Sequence, residues 1–303
     1  MFKKRKIVIF NVHSEGERLG RFKEEIKNSN LEMHIINSYN VAIADSGIFY
    51  NGKEIVFKKG DIAWFVANPT INHYLAEYLQ RKFDVSVMVW PDAQAVELSD
   101  KFCVSVFFNS IDIPTPKTVL INSFKEEKIE LLAKNYVNGF PCVIKSCRGS
   151  MGKNVDIVNS PREILAFIDK SFKAKSIVPF KRSSFLLQEF IKESAGSDFR
   201  ALCLNGEVLG MIRRTSQDGN FKANISLGGK AEIVELDKDV KKMAEKITRE
   251  GKIFYAGIDF IKSDRGYLAI EINTSAQFKG FEKATGINVA EKIMKKLIEK
   301  KIK

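Results

Sequence analysis

The stretch from Gly257 to Asn273 constrains this chain more than any other, because it reads as a β-hairpin. Its sequence, GIDFIKSDRGYLAIEIN, holds two short apolar runs on either side of Asp264-Arg265-Gly266. A three-residue loop with its glycine in the left-handed region is a common turn for such a pattern. We therefore predict a hairpin with its loop at 264–266, in which Ser263 pairs with Tyr267.

The predicted register brings two carboxylates face to face. Counting back along both strands places Asp259 directly opposite Glu271, and Asn273 shares a face with Glu271 because side chains alternate along a strand. Two like charges across a ladder repel each other. A hard divalent cation between them removes that repulsion, and the amide oxygen of Asn273 suits its ligand set. The prediction depends on the register, since a slip of one residue moves one carboxylate to the other face.

The bulk composition is that of a globular protein with anionic partners. The 303-residue chain has no apolar run that reaches the roughly 20 residues needed to cross a bilayer. Its basic start is followed by an apolar run too short for a signal peptide, so we expect a cytoplasmic protein. The formal net charge of +12 favours nucleotide phosphates, polycarboxylates, an acidic carrier protein or nucleic acid as partners. The alternative is that the lysines coat solvated helix faces, and no nucleic-acid-binding module is recognisable.

The cysteines show no spacing that is typical of a metal site. None of them forms a Cys-x-x-Cys pair, and a disulfide framework is not expected in a cytosolic chain of this size. We predict that all four are small buried hydrophobic residues. They are Cys103, Cys142, Cys147 and Cys203.

The order of the predicted elements divides the chain into parts. Strands and helices alternate over residues 1–95, where Asn51-Gly52 predicts a type I′ turn between two strands. A helix is predicted over Glu97–Asn109, and antiparallel hairpins and helices follow it. We therefore predict an N-terminal α/β domain over residues 1–95 and an α+β remainder.

A glycine-containing loop joins two predicted strands between Lys145 and Asn154. Gly149 and Gly152 let backbone N–H groups approach an anion closely. The loop is not a Walker A motif, because no Ser or Thr follows Lys153 and the next element is a strand. Lys145 ends an apolar strand, and a lysine there needs an anionic partner. Taken alone, the segment predicts either an anion-binding loop or an ordinary hairpin turn.

Charged residues flank a second predicted turn at Asn205-Gly206. Asp198 and Arg200 precede the turn, and Arg213 and Arg214 follow it. Pairing around the turn places Arg200 near Arg213, and converging guanidinium groups suit the clamping of a phosphate or carboxylate. The alternative is a surface ladder of salt bridges.

Together and in this order, these segments resemble the ATP-grasp superfamily, and within it the ligases similar to the ribosomal protein S6 glutamate ligase. The likeness covers the chain from Ser99 to Ala290. It rests on the segments Ser99-Asp100-Lys101, Val143-Ile144-Lys145 with the loop to Gly152, Gln188-Glu189-Phe190-Ile191, Gly196–Arg200, Arg213-Arg214, Gly219–Asn224, Gly257-Ile258-Asp259, Glu271-Ile272-Asn273 and Lys283–Asn288. The resemblance implies a two-lobed α+β ATP-grasp fold after the N-terminal α/β domain, with a central lobe over residues 96–183 and a C-terminal lobe over residues 184–303.

The resemblance also implies a role for each matching residue. The backbone at Glu189-Phe190 would hold the adenine edge, and the loop from Gly149 to Gly152 would close over the phosphates. Arg213 would stabilise the γ-phosphate and the acyl phosphate made from it. Its further catalytic groups are Lys145 and Asn224. The Mg²⁺ ligands are Asp259, Glu271 and Asn273. The nucleotide-binding residues are Lys101, Lys145, Gly149, Ser150, Gly152, Gln188, Glu189, Phe190, Asp198, Arg200, Lys222 and Asn224.

By the same resemblance the activity is the ligation of a carboxylate to an amine. Such an enzyme uses ATP and Mg²⁺, with Mn²⁺ as an alternative ion, to phosphorylate a carboxylate, and an amine then attacks the acyl phosphate. We expect a glutamate-like amino acid to be added to a small molecule, a peptide or an acidic carrier protein, and the family is compatible with a homo-oligomer. The alternative is a nucleotide-binding regulator or scaffold of the same fold that has lost its chemistry.

Three positions depart from the family pattern. Asn154 stands where the family often has a third loop glycine, and Lys222 replaces an arginine. After Asn273 the family usually reads Ser-Pro-Gly, whereas here Ser275-Ala276-Gln277 follows. That segment lines the acceptor side in the family. The identity of the amino acid substrate therefore stays open, whereas the nucleotide and metal residues match.

Overall fold

A computed structural model gives the architecture of most of the 303-residue chain. It describes residues 5–11, 16–27, 29, 31–66, 70–83, 87–121, 123–148, 154–173, 184–216 and 230–299. Within these residues, no helix is long and apolar enough to span a membrane.

The N-terminal part is an α/β arrangement built on a parallel sheet. Its elements are β1 (Arg5–Asn11), α1 (Glu17–Ile26), β2 (Leu31–Asn37), β3 (Val41–Ala44), β4 (Gly47–Tyr50), β5 (Lys53–Glu54), β6 (Asp61–Phe65), α2 (Thr70–Phe83) and β7 (Val87–Trp90). The parallel sheet has the order β2-β1-β6-β7, and β3, β4 and β5 form a small antiparallel sheet. Asn51 and Gly52 both have positive φ angles, 50° and 75°, which confirms the predicted type I′ turn.

The middle of the chain forms an antiparallel sheet that is covered by two helices. Its elements are α3 (Ala93–Glu97), α4 (Lys101–Ser110), β8 (Thr118–Ile121), α5 (Glu126–Tyr136), β9 (Cys142–Ser146), β10 (Val155–Val158), α6 (Pro161–Lys173) and β11 (Phe185–Glu189). The strand order is β10-β9-β11-β8. Ile129 of α5 and Ile164 of α6 pack with Ile144 of β9 in one core, and all three are fully buried.

The helix that we predicted over Glu97–Asn109 is two helices. The side chain of Asp100 accepts hydrogen bonds from the backbone N–H groups of Phe102 (3.0 Å) and Cys103 (3.2 Å), so it caps a new helix, α4. An aspartate in this capping position starts a helix rather than continuing the one before it. The periodicity of the apolar residues alone did not reveal this break.

The C-terminal part is a five-stranded antiparallel sheet with helices on both faces. Its elements are β12 (Ser197–Leu204), β13 (Glu207–Thr215), β14 (Lys230–Val234), α7 (Lys238–Glu250), β15 (Tyr255–Ser263), β16 (Gly266–Asn273), α8 (Lys279–Thr285) and α9 (Val289–Glu299). The strand order is β14-β13-β12-β15-β16. The N-terminal α/β part followed by two antiparallel sheets agrees with the predicted fold class.

The two faces of the C-terminal sheet have different partners. Ala201, Ile258 and Phe260 project from one face and pack with residues of α4 and α7. Leu202 and Ile212 project from the other face into a core shared with the N-terminal sheet, α8 and α9. The helix α4 therefore packs on the C-terminal sheet although it lies in the predicted central lobe. The boundaries at residues 95/96 and 183/184 stay predictions.

Three of the four cysteines are buried, as predicted, but Cys103 is exposed. It lies on α4, whose buried side is formed by Val104 and Phe108, four residues apart on one helical face. Cys103 lies outside that apolar stripe and faces solvent. The prediction of a buried residue at this position was therefore wrong.

Candidate active site

Three facing residues define the candidate site on the second face of the C-terminal sheet. Arg200 of β12 pairs with Asp259 of β15, and Asp259 pairs in turn with Glu271 of β16. The predicted opposition of Asp259 and Glu271 is therefore confirmed. Paired residues project from the same face of a sheet, so these three side chains stand in one row.

The route to this register differs from the prediction. Ser263 pairs with Gly266 rather than with Tyr267, so the loop is one residue tighter than we predicted. The ladder then shifts by one residue between Phe260 and Asp259, which leaves Ile270 as an extra residue in β16. This bulge restores the opposition that the tighter loop would otherwise have broken. Gly266 has a φ angle of 93°, as its predicted place at the turn requires.

Two arginines and an asparagine surround the carboxylate of Asp259. Its Oδ1 accepts a hydrogen bond from Nε of Arg200 (2.7 Å), and its Oδ2 accepts from Nη2 of Arg200 (2.7 Å), Nη2 of Arg214 (3.0 Å) and Nδ2 of Asn273 (3.0 Å). Burial opposes ionisation, but the two guanidinium groups hold the pKa of Asp259 below its usual value. Asp259 is thus a buried, ionised carboxylate.

Arg214 joins a second carboxylate to the cluster. Its Nε and Nη2 donate to Oδ1 and Oδ2 of Asp198, at 2.5 Å and 2.7 Å. Burial alone would lower the pKa of Arg214, but Asp259 and Asp198 raise it above its ordinary value. Two aspartates and two arginines therefore balance their charges on this face, where a single unpaired member would be strongly destabilising. We call Asp198, Arg200, Arg214 and Asp259 the charged quartet.

Arg213, the predicted catalytic arginine, lies on the other face of the sheet. It pairs with Phe199, whose ring packs edge-on against Tyr267, and its own side chain is exposed. The cause is a second bulge, at which the ladder of β12 and β13 shifts by one residue and leaves Leu209 extra. A turn at Asn205-Gly206 without that bulge would set Arg213 opposite Asp198. The bulge sets Arg214 there instead, so Arg214 rather than Arg213 shares a face with Asp198 and Asp259.

Lys145 reaches toward this row from the central sheet. Its Nζ donates to Oε1 of Gln188 at 2.7 Å, and Nε2 of Gln188 donates to Oγ1 of Thr118 at 3.0 Å. Burial lowers the pKa of Lys145 to about 8, against the opposing attraction of Glu271 and Asp259. The ammonium group of one sheet is therefore within electrostatic range of the carboxylates of the other, and we call the region between them the cleft.

Lys101 lies beside Lys145 at the start of α4. Its backbone N–H donates to the carbonyl of Cys147 at 2.9 Å, which ties the helix to the end of β9. Its charge lowers the pKa of Lys145 further, so the two ammonium groups are within electrostatic range. Arg148, which leads into the glycine-containing loop, contacts Asp100 at 3.3 Å. The structure thus brings together both lysines that we predicted to bind the nucleotide.

The predicted adenine-binding segment has one backbone group already engaged. The N–H of Glu189 donates to the carbonyl of Lys117 at 2.8 Å. Its carboxylate accepts hydrogen bonds from Nη2 of Arg265 (2.7 Å) and Nδ2 of Asn138 (2.8 Å). The Glu189 N–H is therefore not free to bind a purine edge. If this segment binds one, the contact would come from the backbone of the partly buried Phe190 or from another group.

Hard oxygen donors remain for a cation in this cleft. The carboxylate of Glu271 forms no hydrogen bond or ion pair with any described residue, and the amide oxygen of Asn273 accepts none there. Oδ1 of Asp259 accepts a single hydrogen bond from the described residues. No group of three or more His, Cys, Asp or Glu side chains forms a metal-like cluster in the described ranges. A cation would draw on these three residues, whose oxygens are ligands that Mg²⁺ prefers.

Five predicted site residues lie outside the described residues. They are Gly149, Ser150, Gly152, Lys222 and Asn224. Their roles stay predictions.

Comparison with known proteins shows what the sequence is similar to. A profile of the RimK-like ATP-grasp domain matches residues 98–297. A probable alpha-L-glutamate ligase of Legionella pneumophila (strain Corby) is 32% identical over 288 residues, which cover 93% of this chain and 91% of the relative.

Solved structures share the fold. A RimK domain protein ATP-grasp from Sphaerobacter thermophilus is 17% identical with a TM-score of 0.71, covering 96% of this chain and 98% of that chain. The ATP-grasp ligase PsnB, complexed with a phosphomimetic variant of minimal precursor, Mg and ADP, is 15% identical with a TM-score of 0.65, covering 97% and 98%. These likenesses confirm the predicted fold class.

Proposed function

The chain belongs to the RimK-like ATP-grasp family and is an ATP-dependent carboxylate–amine ligase, and we propose that it joins the amine of a glutamate-like amino acid to a carboxylate of a small molecule, a peptide or an acidic carrier protein. The name of the Legionella relative supports the choice of amino acid. The peptide alternative has support in the precursor bound to PsnB.

The observation that carries the proposal is the cleft between the central and C-terminal sheets. Lys145 and Lys101 stand on one side, and Glu271 and Asp259 stand on the other, within electrostatic range of Lys145. Polyphosphate bound with a divalent cation needs ammonium groups on one side and hard oxygen ligands on the other. We assign the two lysines to the ATP phosphates, and Gln188 to the positioning of Lys145 through its hydrogen bond.

Glu271, Asn273 and Asp259 are the residues proposed to hold Mg²⁺. The Mg and ADP in the PsnB complex support this assignment, and Mn²⁺ has the same preference for oxygen ligands. When bound, the ion neutralises charge on the phosphates. Oδ2 of Asp259 already accepts three hydrogen bonds, so Asp259 would contribute through Oδ1.

Arg214 takes the role that the sequence predicted for Arg213. It lies on the cleft face, and its guanidinium group is held by Asp198 and Asp259. A preorganised cation at this position is suited to stabilise charge that develops on the transferred phosphoryl group. Arg200, held by the same Asp259, extends that positive surface.

The remaining assignments follow from the family alone. The loop with Gly149, Ser150 and Gly152 would close over the phosphates, and Lys222 and Asn224 would lie beside the transferred group. The segment at Glu189 and Phe190 would hold the purine, and Asp198 would orient the ribose side through the charged quartet. The predicted three-part division of the chain, with boundaries at residues 95/96 and 183/184, belongs to the same proposal.

The proposed reaction has two steps. A carboxylate oxygen of the acceptor attacks the γ-phosphorus of ATP, the bond to the ADP oxygen breaks, and an acyl phosphate forms. The neutral amine then attacks the acyl carbon, inorganic phosphate leaves with one former carboxylate oxygen, and the nitrogen loses a proton to give the amide. The described residues position the substrates and stabilise charge, because phosphoryl transfer requires little covalent chemistry from the protein.

A screen of ADP release tests the proposal. The purified chain is supplied with Mg²⁺, ATP and L-glutamate, and with a panel of carboxylates that includes free acids and peptide C-termini. We expect ADP only when both L-glutamate, as the amine, and an acceptor carboxylate of the panel are present. The mass of the product should equal the sum of the two substrate masses less one water. Bound ATP without any turnover across the panel would favour the regulator instead.

A further inference from the structure

Arg18 of α1 is a cation without a carboxylate partner among the described residues. Its Nη1 donates to the carbonyls of Ser275 (2.6 Å) and Ala276 (3.3 Å), and its Nη2 donates to the carbonyl of Val66. No described carboxylate forms an ion pair with it, and its Nε–H has no acceptor in the described ranges. Burial lowers the pKa of Arg18 to about 10, so its charge is poorly compensated as the chain stands.

A second arginine of the N-terminal part, Arg5, also donates to backbone carbonyls. Nε of Arg5 donates to the carbonyl of Gly60 at 2.7 Å, and its Nη1 donates to that of Ile298 at 3.3 Å. Arg5 contacts α9 and forms no hydrogen bond with the segment after β16 among the described residues. Arg18 differs from it in its position beside the candidate active site and in the surface that it lines.

The segment that Arg18 holds follows directly on the proposed metal ligands. Ser275 is two residues after Asn273, and the backbone N–H of Ala276 returns to the carbonyl of Asn273 at 3.1 Å. Two residues span at most about 7 Å of chain. Arg18 therefore lies within one short turn of Asn273, the last of the proposed metal ligands.

Gly257 gives an independent measure of the same proximity. A Cβ atom at Gly257 would lie 2.9 Å from Cδ of Arg200 and 3.0 Å from Cβ of Ala276. Arg200 and Ala276 are therefore close neighbours on either side of a position without a side chain. The Arg18 segment thus adjoins the charged quartet.

Arg18 also lines a surface depression between the N-terminal part and α8. The lining residues are Arg18, Arg21, Gln277, Phe278, Lys279 and Glu282. Glu282 is the one acidic residue among them, and it lies 3.5 Å from Arg21, which also pairs with Glu24 at 2.8 Å. Glu282 therefore pairs with Arg21, whereas no described carboxylate neutralises Arg18.

We propose that Arg18 binds a carboxylate of the amine substrate, one that takes no part in the reaction, in the depression formed with Gln277. This inference rests on the proposed ligase function and names the residue that would select an acidic or amino acid amine. A guanidinium group that is fixed by three backbone carbonyls is preorganised, and a carboxylate is the planar anion that its remaining N–H groups fit. The segment at 275–277, where this chain departs from its family, would thus set the pose of the substrate.

Calorimetric binding of three related ligands tests the inference. L-glutamate, L-glutamine and L-isoglutamine are titrated into the full-length chain saturated with Mg²⁺ and AMPPNP. For the wild type we expect one of the two amides to bind roughly 10- to 100-fold more weakly than glutamate, the range for loss of a charged hydrogen bond. For Arg18→Gln we expect glutamate to bind as weakly as that amide, so that the discrimination disappears.

Two further variants separate binding from folding. Arg5→Gln removes an arginine with the same kind of backbone acceptors and should keep the discrimination. Arg18→Lys keeps the charge and should retain part of it, which also provides the test if Arg18→Gln does not fold. AMPPNP should bind all variants with the wild-type affinity.

Each opposing result has a distinct meaning. If Arg18→Gln still discriminates glutamate from the amides, or loses all three ligands in parallel, Arg18 is a structural clamp and the inference is overturned. If the wild type binds Mg²⁺ and AMPPNP but not glutamate, the inference is overturned and the nucleotide half of the proposed function stands. If the wild type does not bind AMPPNP, the proposed function itself fails.

Discussion

Asp259 and Glu271 face each other, but they differ in how much they contribute to the stability of the fold. Asp259 neutralises Arg200 and Arg214, whereas Glu271 has no ion pair among the described residues. Replacing Asp259 unpairs buried cations, which costs about 3–5 kcal/mol of folding free energy. We predict that Glu271→Gln abolishes Mg²⁺-dependent ATP turnover at an unchanged melting temperature, and that Asp259→Asn loses turnover and stability together.

Thermal melts and ADP release on the same preparations check this prediction. The comparison matters because a loss of activity at Asp259 alone could reflect partial unfolding. Turnover by Glu271→Gln near the wild-type rate would remove Glu271 from the metal site.

The neighbouring arginines on β13 give a second test at the scale of single residues. Arg214→Lys keeps a charge between Asp198 and Asp259 but loses the planar fork. We predict that it slows turnover of bound ATP by about 10²-fold or more, because a preorganised donor to the transferred group is lost. Arg213→Ala removes an exposed side chain from the opposite face, and the rate should change by less than about twofold. Single-turnover kinetics with ATP prebound check both.

The opposite pattern would restore the original assignment. A slow Arg213→Ala enzyme beside a normal Arg214→Lys enzyme would mean that Arg213, and not Arg214, acts on the transferred phosphoryl group.

Lys145 should make nucleotide binding depend on pH. Its pKa is lowered to about 8 in the free protein, mainly by burial, and bound phosphates would raise it. The charged form binds, so affinity is full below about pH 8 and falls as pH rises through the pKa of the complex, by up to about tenfold per pH unit. Calorimetric titration of AMPPNP with Mg²⁺ at several pH values measures this dependence.

The matched variant for this test is Lys145→Met. It has no ammonium group to titrate, so its weaker binding should vary less with pH in the same interval. An identical fall in both proteins would place the titrating group elsewhere.

At the scale of elements, local turn chemistry was predictable and bulges were not. Asn205 and Gly206 have φ angles of 51° and 85°, as the turn between β12 and β13 requires. The bulge that follows shifts the ladder by one residue and exchanges the faces of Arg213 and Arg214. In the β15–β16 hairpin, a tighter loop and a bulge offset each other. The residue types of the local sequence predict the turn, whereas packing of the whole sheet determines the position of the bulge.

Gly257 is the position on β15 where the close approach of neighbouring elements can be tested. An added methyl group would meet Cδ of Arg200 at 2.9 Å and Cβ of Ala276 at 3.0 Å. We predict that Gly257→Ala costs about 1–3 kcal/mol through overpacking and reduces turnover, because Arg200 must shift away from Asp259. Chemical denaturation and ADP release measure the two effects.

The same substitution at Gly20 is the control. Gly20 lies within α1, and nothing lies within 4 Å of an added Cβ there. Alanine is the better helix former, so Gly20→Ala should stabilise by about 0.5–1 kcal/mol without affecting turnover. A Gly257→Ala protein that is as stable and as active as this control would contradict the close approach.

At the scale of the whole molecule, the cleft depends on how the parts of the chain dock. Trp64 and Trp90 stack at 4.4 Å, and Trp90 also packs edge-on against Phe254 and Tyr255 at the start of β15. This docking carries Arg18 to the segment after Asn273, a contact between residues 257 positions apart in the chain. No local sequence pattern predicts such a contact, which is why we named no residue of the N-terminal part on the acceptor side from the sequence.

The central claim is that a carboxylate is phosphorylated and then transferred to an amine. Oxygen tracing tests it most directly, with the acceptor found in the ADP-release screen labelled with ¹⁸O in both carboxylate oxygens. The proposed function predicts that each turnover moves one ¹⁸O atom into inorganic phosphate, read by mass spectrometry, while the amide keeps the other. Phosphate without the label would contradict the acyl phosphate and with it the assignment of the cleft.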